Sequence, residues 1–351
     1  MKRIRLAIVD DSAFIRKALN RVLEEERRIA VVGTASSAEE LLAHISAWRP
    51  DVITLDLSMP GMGGLAALDL IRGWRPVPVI ILSTHSGKDA PLTIEALHRG
   101  AVDFIDKQQY SLVDFDALRT VLVDKIIQVT GNSLASPEPL VPSREQTPPL
   151  PLSSAADPYQ AFTLLLIGAS TGGPPAIQRI LEDFGQGLGI PIVVVQHMPA
   201  GFTKPFAERL NTHLPMPVRE AAHGEFLDAG TVYIAPTGSH LRVRKQSARW
   251  QSLLTRYPES LPHRPSVDVL FESASPYGTE VLAALLTGMG RDGAEGMLDL
   301  AQGGAYTLVQ SEASCIVYGM PKAAMQLGAA RDQAPLERIG PRLKELLGRT
   351  R

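Results

Sequence analysis

Ile4-Arg5-Leu6-Ala7-Ile8-Val9-Asp10-Asp11-Ser12 runs from a short apolar stretch straight into two adjacent carboxylates. An aliphatic run of this length reads as a buried strand, and the polar residues behind it mark its carboxyl end. Similar runs recur at 29–33, 52–55, 77–82 and 102–105. Amphipathic stretches lie between them. Ile15, Ala18, Leu19, Val22 and Leu23 recur at helical spacing. Leu41, Leu42 and Ile45 follow a capping box in which Ser36 or Ser37 precedes Glu39 or Glu40 by three residues. Residues 114–129 make a last helix. Five strands alternating with five helices predict a parallel sheet covered on both faces.

Outward from this block, residues 136–158 carry Pro137, Pro139, Pro142, Pro148, Pro149, Pro151 and Pro158 among Ser, Glu and Gln, with neither helical nor strand period. They read as an extended, semi-rigid linker. The expected organisation is a first domain over 1–130, a linker over 131–160 and a second domain over 161–351. The second domain is also α/β, with strands at 163–167, 191–195, 281–286 and 305–309. Its helices fall at 175–184, 202–214, 266–274 and 293–302, and the alternating region 231–254 has room to hold a hairpin. The run 336–347, with Ile339, Leu343, Leu346 and Leu347 on one side, reads as a C-terminal packing helix interrupted at Pro341. The fold class is therefore α/β, two doubly wound parallel-sheet domains joined by a Pro-rich linker.

Composition fits this organisation. The chain has 351 residues, 45% apolar and 21% charged, enough for two cores. A net charge of −2 argues against nucleic acid or an anionic membrane as a partner held by bulk charge. One cysteine excludes an internal disulfide and a multi-cysteine zinc site. The apolar runs are far shorter than the roughly 20 residues of a membrane helix. The first of them stops at Asp10 and Asp11, too early for a secretory signal. A cytoplasmic, monomeric protein without membrane insertion is expected.

In open parallel sheets, ligands bind beyond the carboxyl ends of the strands. Asp10 and Asp11 follow the first strand, Asp56 ends the third, Ser83 and Thr84 end the fourth and Lys107 follows the fifth. Three carboxylates in one crevice repel unless a cation sits among them, and a hard, oxygen-liganded ion such as Mg²⁺ fits. A carboxylate beside Mg²⁺ and Lys can accept a phosphoryl group. With Ala7-Ile8-Val9-Asp10-Asp11-Ser12, Asp56-Leu57-Ser58-Met59-Pro60-Gly61-Met62, Leu82-Ser83-Thr84 and Phe104-Ile105-Asp106-Lys107, residues 1–130 resemble the flavodoxin-like receiver domain of bacterial two-component response regulators. The resemblance implies Asp56 as phospho-acceptor, with Mg²⁺ held by Asp10, Asp11 and Asp56. It implies Ser83 as switch hydroxyl, Phe104 as switch aromatic and Lys107 as the phosphate-neighbouring lysine. Two positions depart from that pattern. Gln108 stands where a proline usually follows the lysine, and Gly63-Gly64 stands where Asp-Gly is common.

In the second domain, Leu164-Leu165-Leu166-Ile167 leads into Gly168-Ala169-Ser170-Thr171-Gly172-Gly173 and then a helical run. A serine on a strand–turn–helix junction is exposed near helix N–H groups, and Gly168-x-Ser170-x-Gly172 fits a nucleophile elbow; a phosphate-binding or plain turn fits the same string. His197 follows the strand at 191–195, and Asp292 lies in the glycine-rich loop Thr287-Gly288-Met289-Gly290-Arg291-Asp292-Gly293. All three can converge at one sheet edge. Acyl transfer would then have His197 take the Ser170 proton and Asp292 hold the imidazole tautomer. Their chain order, Ser–His–Asp, differs from the Ser–Asp–His of α/β-hydrolases.

Together with Gln196-His197-Met198-Pro199, Tyr233-Ile234-Ala235-Pro236, His263-Arg264-Pro265-Ser266-Val267-Asp268 and Glu312-Ala313-Ser314-Cys315, these strings resemble the catalytic domain of chemotaxis protein-glutamate methylesterases over about 163–330. The resemblance implies Ser170 as nucleophile, His197 as base, Asp292 as its orienter, the Met289 N–H in the oxyanion hole and Thr171 beside the nucleophile. It implies hydrolysis of glutamate γ-methyl esters, and deamidation of glutamines, on methyl-accepting chemoreceptors. A chemosensory histidine kinase would be the phosphoryl donor, phosphorylation would activate, and the catalytic domain would need no cofactor. The rival readings are a response regulator with a non-catalytic protein-binding output domain, which the intact Ser170, His197 and Asp292 argue against, and a DNA-binding regulator, disfavoured by the near-neutral charge. Cys315 reads as a small buried hydrophobe, and Arg242, Arg244, Lys245 and Arg249 as a solvated basic face. His213, His223, His240 and His263 lack metal-ligand spacing.

Overall fold

The computed structural model describes residues 3–83, 89–107, 115–131 and 161–348, so Thr84, Gln108 and nearly all of the expected linker lie outside the described residues. The chain divides into two compact units, Met1–Ser136 and Pro137–Arg351.

The first unit alternates β1 (Ile4–Val9), α1 (Ala13–Leu23), β2 (Ile29–Ala35), α2 (Ala38–Trp48), β3 (Val52–Asp56), α3 (Gly63–Trp74), β4 (Val79–Ser83), α4 (Asp89–His98), β5 (Asp103–Asp106) and α5 (Phe115–Val129). Its five strands are all parallel, in the order β2-β1-β3-β4-β5. Ile4, Leu6, Ile8, Val52, Ile80 and Ile105 form one apolar layer with Leu19 and Leu23 of α1 and Leu122 and Ile126 of α5. The fourth strand begins two residues later than the apolar run because Pro78 has no N–H for a ladder; its carbonyl instead accepts from Ile53 N at 3.0 Å. At α2, Ser37 is the cap, accepting from Glu40 N, while the Glu40 carboxylate reaches back to Ser36 N and Oγ.

The second unit contains β6 (Leu164–Ala169), α6 (Gly173–Phe184), β7 (Ile192–Gln196), α7 (Thr203–His213), β8 (Val218–Glu220), β9 (Val232–Ile234), β10 (His240–Gln246), β11 (Arg249–Thr255), α8 (Val267–Ala274), β12 (Val281–Leu285), α9 (Ala294–Gln302), β13 (Tyr306–Gln310), α10 (Met320–Gln326), β14 (Asp332–Ala334) and α11 (Leu336–Gly348). Seven strands form a parallel sheet in the order β14-β13-β12-β6-β7-β9-β8. The central strands β6, β7, β12 and β13 are buried along their whole length, as helices on both faces require.

The alternating region 231–254 holds a hairpin, β10 with β11, while Val232–Ile234 ahead of it joins the parallel sheet. Two expectations are corrected. The C-terminal helix is not interrupted at Pro341 but runs through it. Proline's φ is helical, and burial of Ile339, Leu343 and Leu346 offsets the one backbone bond it forgoes. The basic residues are not simply solvated: Lys245 pairs with Glu280, Arg244 bonds Gln251, and Arg249 pairs with Asp228 and lies over the Phe226 ring.

In each sheet the chain winds outward in both directions from one strand. The switch falls between β1 and β3 in the first unit and between β6 and β12 in the second. Crevices open at the carboxyl ends of such strand pairs. No helix among the described residues is long and apolar enough to cross a membrane.

Candidate functional site

Ser170, the turn after β6, sits at the second unit's switch point. Its N–H donates to Thr287 O at 3.0 Å, and its carbonyl accepts from Gly173 N at 2.8 Å. The glycines of this turn are steric necessities. A Cβ on Gly173 would stand 1.9 Å from Gln196 Oε1, and one on Gly288 would stand 2.8 Å from Ser170 Cβ. The 287–293 loop can therefore lie against the serine only because Gly288 has no side chain. Gln196, at the end of β7, donates from Nε2 to both Ser170 O and His197 O at 2.9 Å, tying the two candidate residues together through the backbone.

His197 follows Gln196, and its N–H donates to Ala169 O at 3.1 Å, one residue before the serine. Its ring Nε2 lies 2.7 Å from Asp292 Oδ2. An ionised carboxylate only accepts, so Nε2 carries a proton, and in the neutral ring Nδ1 keeps its lone pair. That Nδ1 is buried and has no hydrogen-bond partner. Among the described residues, nothing hydrogen-bonds Ser170 Oγ. Catalytic hydrogen bonds commonly tighten only when substrate is present.

Asp292 is anchored by more than His197. Oδ2 also accepts from Val267 N at 2.7 Å; Oδ1 accepts from Ser266 Oγ at 2.7 Å and Asp268 N at 3.1 Å. These donors are the N-cap and first turn of α8, so Asp292 occupies a helix N-terminus, where N–H groups and the dipole favour negative charge. Burial alone would push the Asp292 carboxyl up. The His197 hydrogen bond and charge, with Val267 N–H and the Ser266 hydroxyl, outweigh burial and hold it below the usual carboxylate range. Asp268 returns the favour, its Oδ1 accepting from Gly296 N in the first turn of α9 at 2.7 Å. Burial, followed by the Asp292 charge, pushes the Asp268 carboxyl up to about 7.

Met289 is half-buried, and no acceptor among the described residues takes its N–H. Thr171 is buried, its carbonyl accepting from Thr287 Oγ1 at 2.9 Å. Cys315 is half-buried, its thiol pushed up to about 12 chiefly by burial, unlike an activated nucleophile.

In the first unit, Lys107 Nζ lies 2.6 Å from Asp10 Oδ2 and 2.9 Å from Asp56 Oδ2. Burial disfavours the Lys107 charge, but Asp56 and Asp10 together outweigh it and raise the ammonium's pKa. Asp10 is fully buried, and desolvation raises its pKa against the pull of Lys107. Ligand oxygens of Asp10, Asp11 and Asp56 lie within 4.8 Å of one another, a hard-donor set suited to a divalent cation. Ser83 is buried with Thr93 Oγ1 2.6 Å from its hydroxyl, and Phe104 is buried on β5, paired with Ile81.

Comparison with known proteins agrees with both units. Residues 165–343 match the family model described as CheB methylesterase, and residues 6–118 match the response regulator receiver domain. The chain belongs to the CheB methylesterase family. A protein-glutamate methylesterase/protein-glutamine glutaminase of Xanthomonas campestris is 42% identical over 99% of this chain and 98% of its own. One from Halalkalibacterium halodurans is 39% identical over 96% of each. The crystal structure of the Thermotoga maritima CheB methylesterase catalytic domain is 36% identical, with a TM-score of 0.51, covering 53% of this chain and 99% of that one.

The sequence points to Ser170, His197, Asp292 and the three acids as candidate site residues, gives no role to Gln196, Ser266 or Asp268, and shows no metal-ligand spacing at His240 or His263. Ser266-x-Asp268 ahead of an apolar run is a helix-start signal, yet nothing local says that the helix end would take a carboxylate from another loop.

Asp268 should be visible in stability. From its ordinary value of 3.8 up to about 7, the unfolded chain has released this proton and the folded chain still holds it. Folding is therefore progressively disfavoured as pH rises through that window. Asp268→Asn keeps the acceptor for Gly296 N and removes the titration. Urea unfolding of the variant should show a smaller loss of stability between about pH 4 and 7 than the wild type. An equal or steeper loss would contradict the assignment.

Proposed function

We propose that the second unit, residues 161–351, hydrolyses glutamate γ-methyl esters and glutamine amides on methyl-accepting chemoreceptors. Residues 1–130 act as a receiver joined to it by a linker over 131–160, and phosphorylation of Asp56 raises the hydrolytic rate. The observation that carries the reading is the Nε2–Asp292 hydrogen bond, which leaves a buried, unpartnered Nδ1 on a histidine bonded to the backbone beside Ser170.

In the mechanism, Ser170 Oγ attacks the ester carbonyl carbon while its proton passes to His197 Nδ1. Asp292 offsets the imidazolium charge. In this reading the Met289 N–H donates to the tetrahedral oxyanion, with Thr171 beside it. Collapse breaks the carbon–methoxy bond, and His197 returns the proton to release methanol, leaving an acyl ester on Ser170. Water then attacks with His197 again as base, freeing the glutamate and regenerating Ser170. An amide substrate follows the same path and releases ammonia.

In the receiver, Asp10, Asp11 and Asp56 would hold Mg²⁺, whose charge favours the phosphoryl oxygens in transfer from a chemosensory histidine kinase. Lys107 contributes a second positive charge, while Ser83 and Phe104 are the groups assigned to respond. The family relationship supports a cytoplasmic enzyme acting on receptor surfaces; in this reading it acts as a monomer.

Ser170→Ala should fold and accept phosphate at Asp56, yet lose methanol release from methylated receptor by about 10³-fold or more. Near-normal release would overturn the triad. Asp56→Asn should abolish labelling by the phosphorylated kinase and make the esterase rate indifferent to phosphoryl donor. Persistent labelling would mean a different acceptor.

A further inference from the structure

One histidine outside the triad is bonded to both ends of a loop that reaches two of its members. His240, the first residue of β10, has no solvent-exposed surface. Its Nδ1 lies 3.2 Å from Ser266 N, and its Nε2 lies 3.0 Å from Pro258 O. A backbone N–H can only donate, so Nδ1 is the acceptor and Nε2 carries the proton that goes to the carbonyl. Both ring nitrogens are thus committed, and burial lowers the pKa of the ring and keeps it neutral.

The two partners are the ends of one loop, 258–266, which crosses from the hairpin to α8. Residues 258–260 and 262–264 are exposed, so packing does little to hold the loop. Besides His240, it is stitched by Gly238 N donating to Arg264 O at 3.2 Å. Yet the loop delivers two groups to the active site. His263 stacks on His197, with ring centroids 4.2 Å apart and planes 18° from parallel. Ser266 gives its hydroxyl to Asp292 and caps the helix whose first N–H groups hold that carboxylate.

We propose that His240 is a positioning residue for hydrolysis: it clasps both ends of the 258–266 loop, and through Ser266 it sets the seat of Asp292 and hence the orientation of His197. The inference rests on the Ser170–His197–Asp292 reading above. It predicts an asymmetry. Asparagine carries a polar atom where Nδ1 stands and can keep the Ser266 anchor. Glutamine reaches the Nε2 position and can keep only the Pro258 anchor.

The test uses the full-length chain with methylated receptor, measuring kcat and KM for methanol release beside thermal unfolding. His240→Gln should lower kcat by about ten- to a hundredfold, as small misplacements in an active site do, with KM little changed. His240→Asn should stay within about threefold of wild type. A merely structural residue would lower the melting temperature of both variants without this order in kcat. Equal kcat values, or a faster Gln variant, would overturn the proposal. Should either variant fail to fold, nitrogen-15 NMR of the wild type decides: a neutral Nε2–H tautomer at His240 supports the clasp, and an Nδ1–H tautomer or an imidazolium at neutral pH refutes it. Ser170→Ala assayed alongside separates the two levels. If it stays active the triad reading fails; if it is inactive while the His240 variants break the order, only the clasp fails.

Discussion

A carboxylate taken out of water without compensation either costs several kcal/mol or takes up a proton. Asp292 does neither, because it sits across the amino end of α8 and collects Ser266 Oγ, Val267 N and Asp268 N before it meets His197. The two N–H groups are ones a helix start leaves unsatisfied, so one contact solves two problems: the first turn of α8 gains acceptors beyond its Ser266 cap, and the carboxylate keeps its charge. Because Asp292 stays ionised, it can only accept from His197, and the histidine must present Nδ1 toward the serine side. The tautomer of the proposed base is thus a consequence of helix capping two elements away.

Asp268 shows what the arrangement costs. It reciprocates by capping α9, and the two buried carboxylates raise each other's energy, a strain that appears at Asp268 rather than at the better-solvated-by-protein Asp292. The receiver meets the same physics differently. There Asp10 and Asp56 share the Lys107 ammonium, which neutralises part of the cluster and leaves a net negative, oxygen-lined crevice that a divalent cation and a phosphoryl group can enter.

Much of this was legible in the residues, for a geometric reason. In a parallel sheet every strand points the same way, so polar residues just after apolar runs must gather on one edge. That is why Asp10, Asp56 and Lys107, or Ser170 and His197, could be grouped although they lie 27 to 97 residues apart. The three-residue edge strands β8 and β14 were invisible because so short a stretch has no hydrophobic period. Pro341 misled because the rule against internal proline yields when a helix buries Ile339, Leu343 and Leu346. Ser266 and Asp268 stayed silent because their contacts arise where α8 meets the 287–293 loop, and His240 because its partners are the two ends of the 258–266 loop; no local pattern encodes such meetings.

The most direct measurement is the nitrogen-15 NMR spectrum of His197 in the resting full-length chain, followed over pH to the unprotonated ring. The expected result is a proton on Nε2, shifted downfield by Asp292, and a bare, pyridine-like Nδ1 in the unprotonated ring. A ring protonated at Nδ1 would contradict it, since the lone pair would then face Asp292 and Ser170 would have no base.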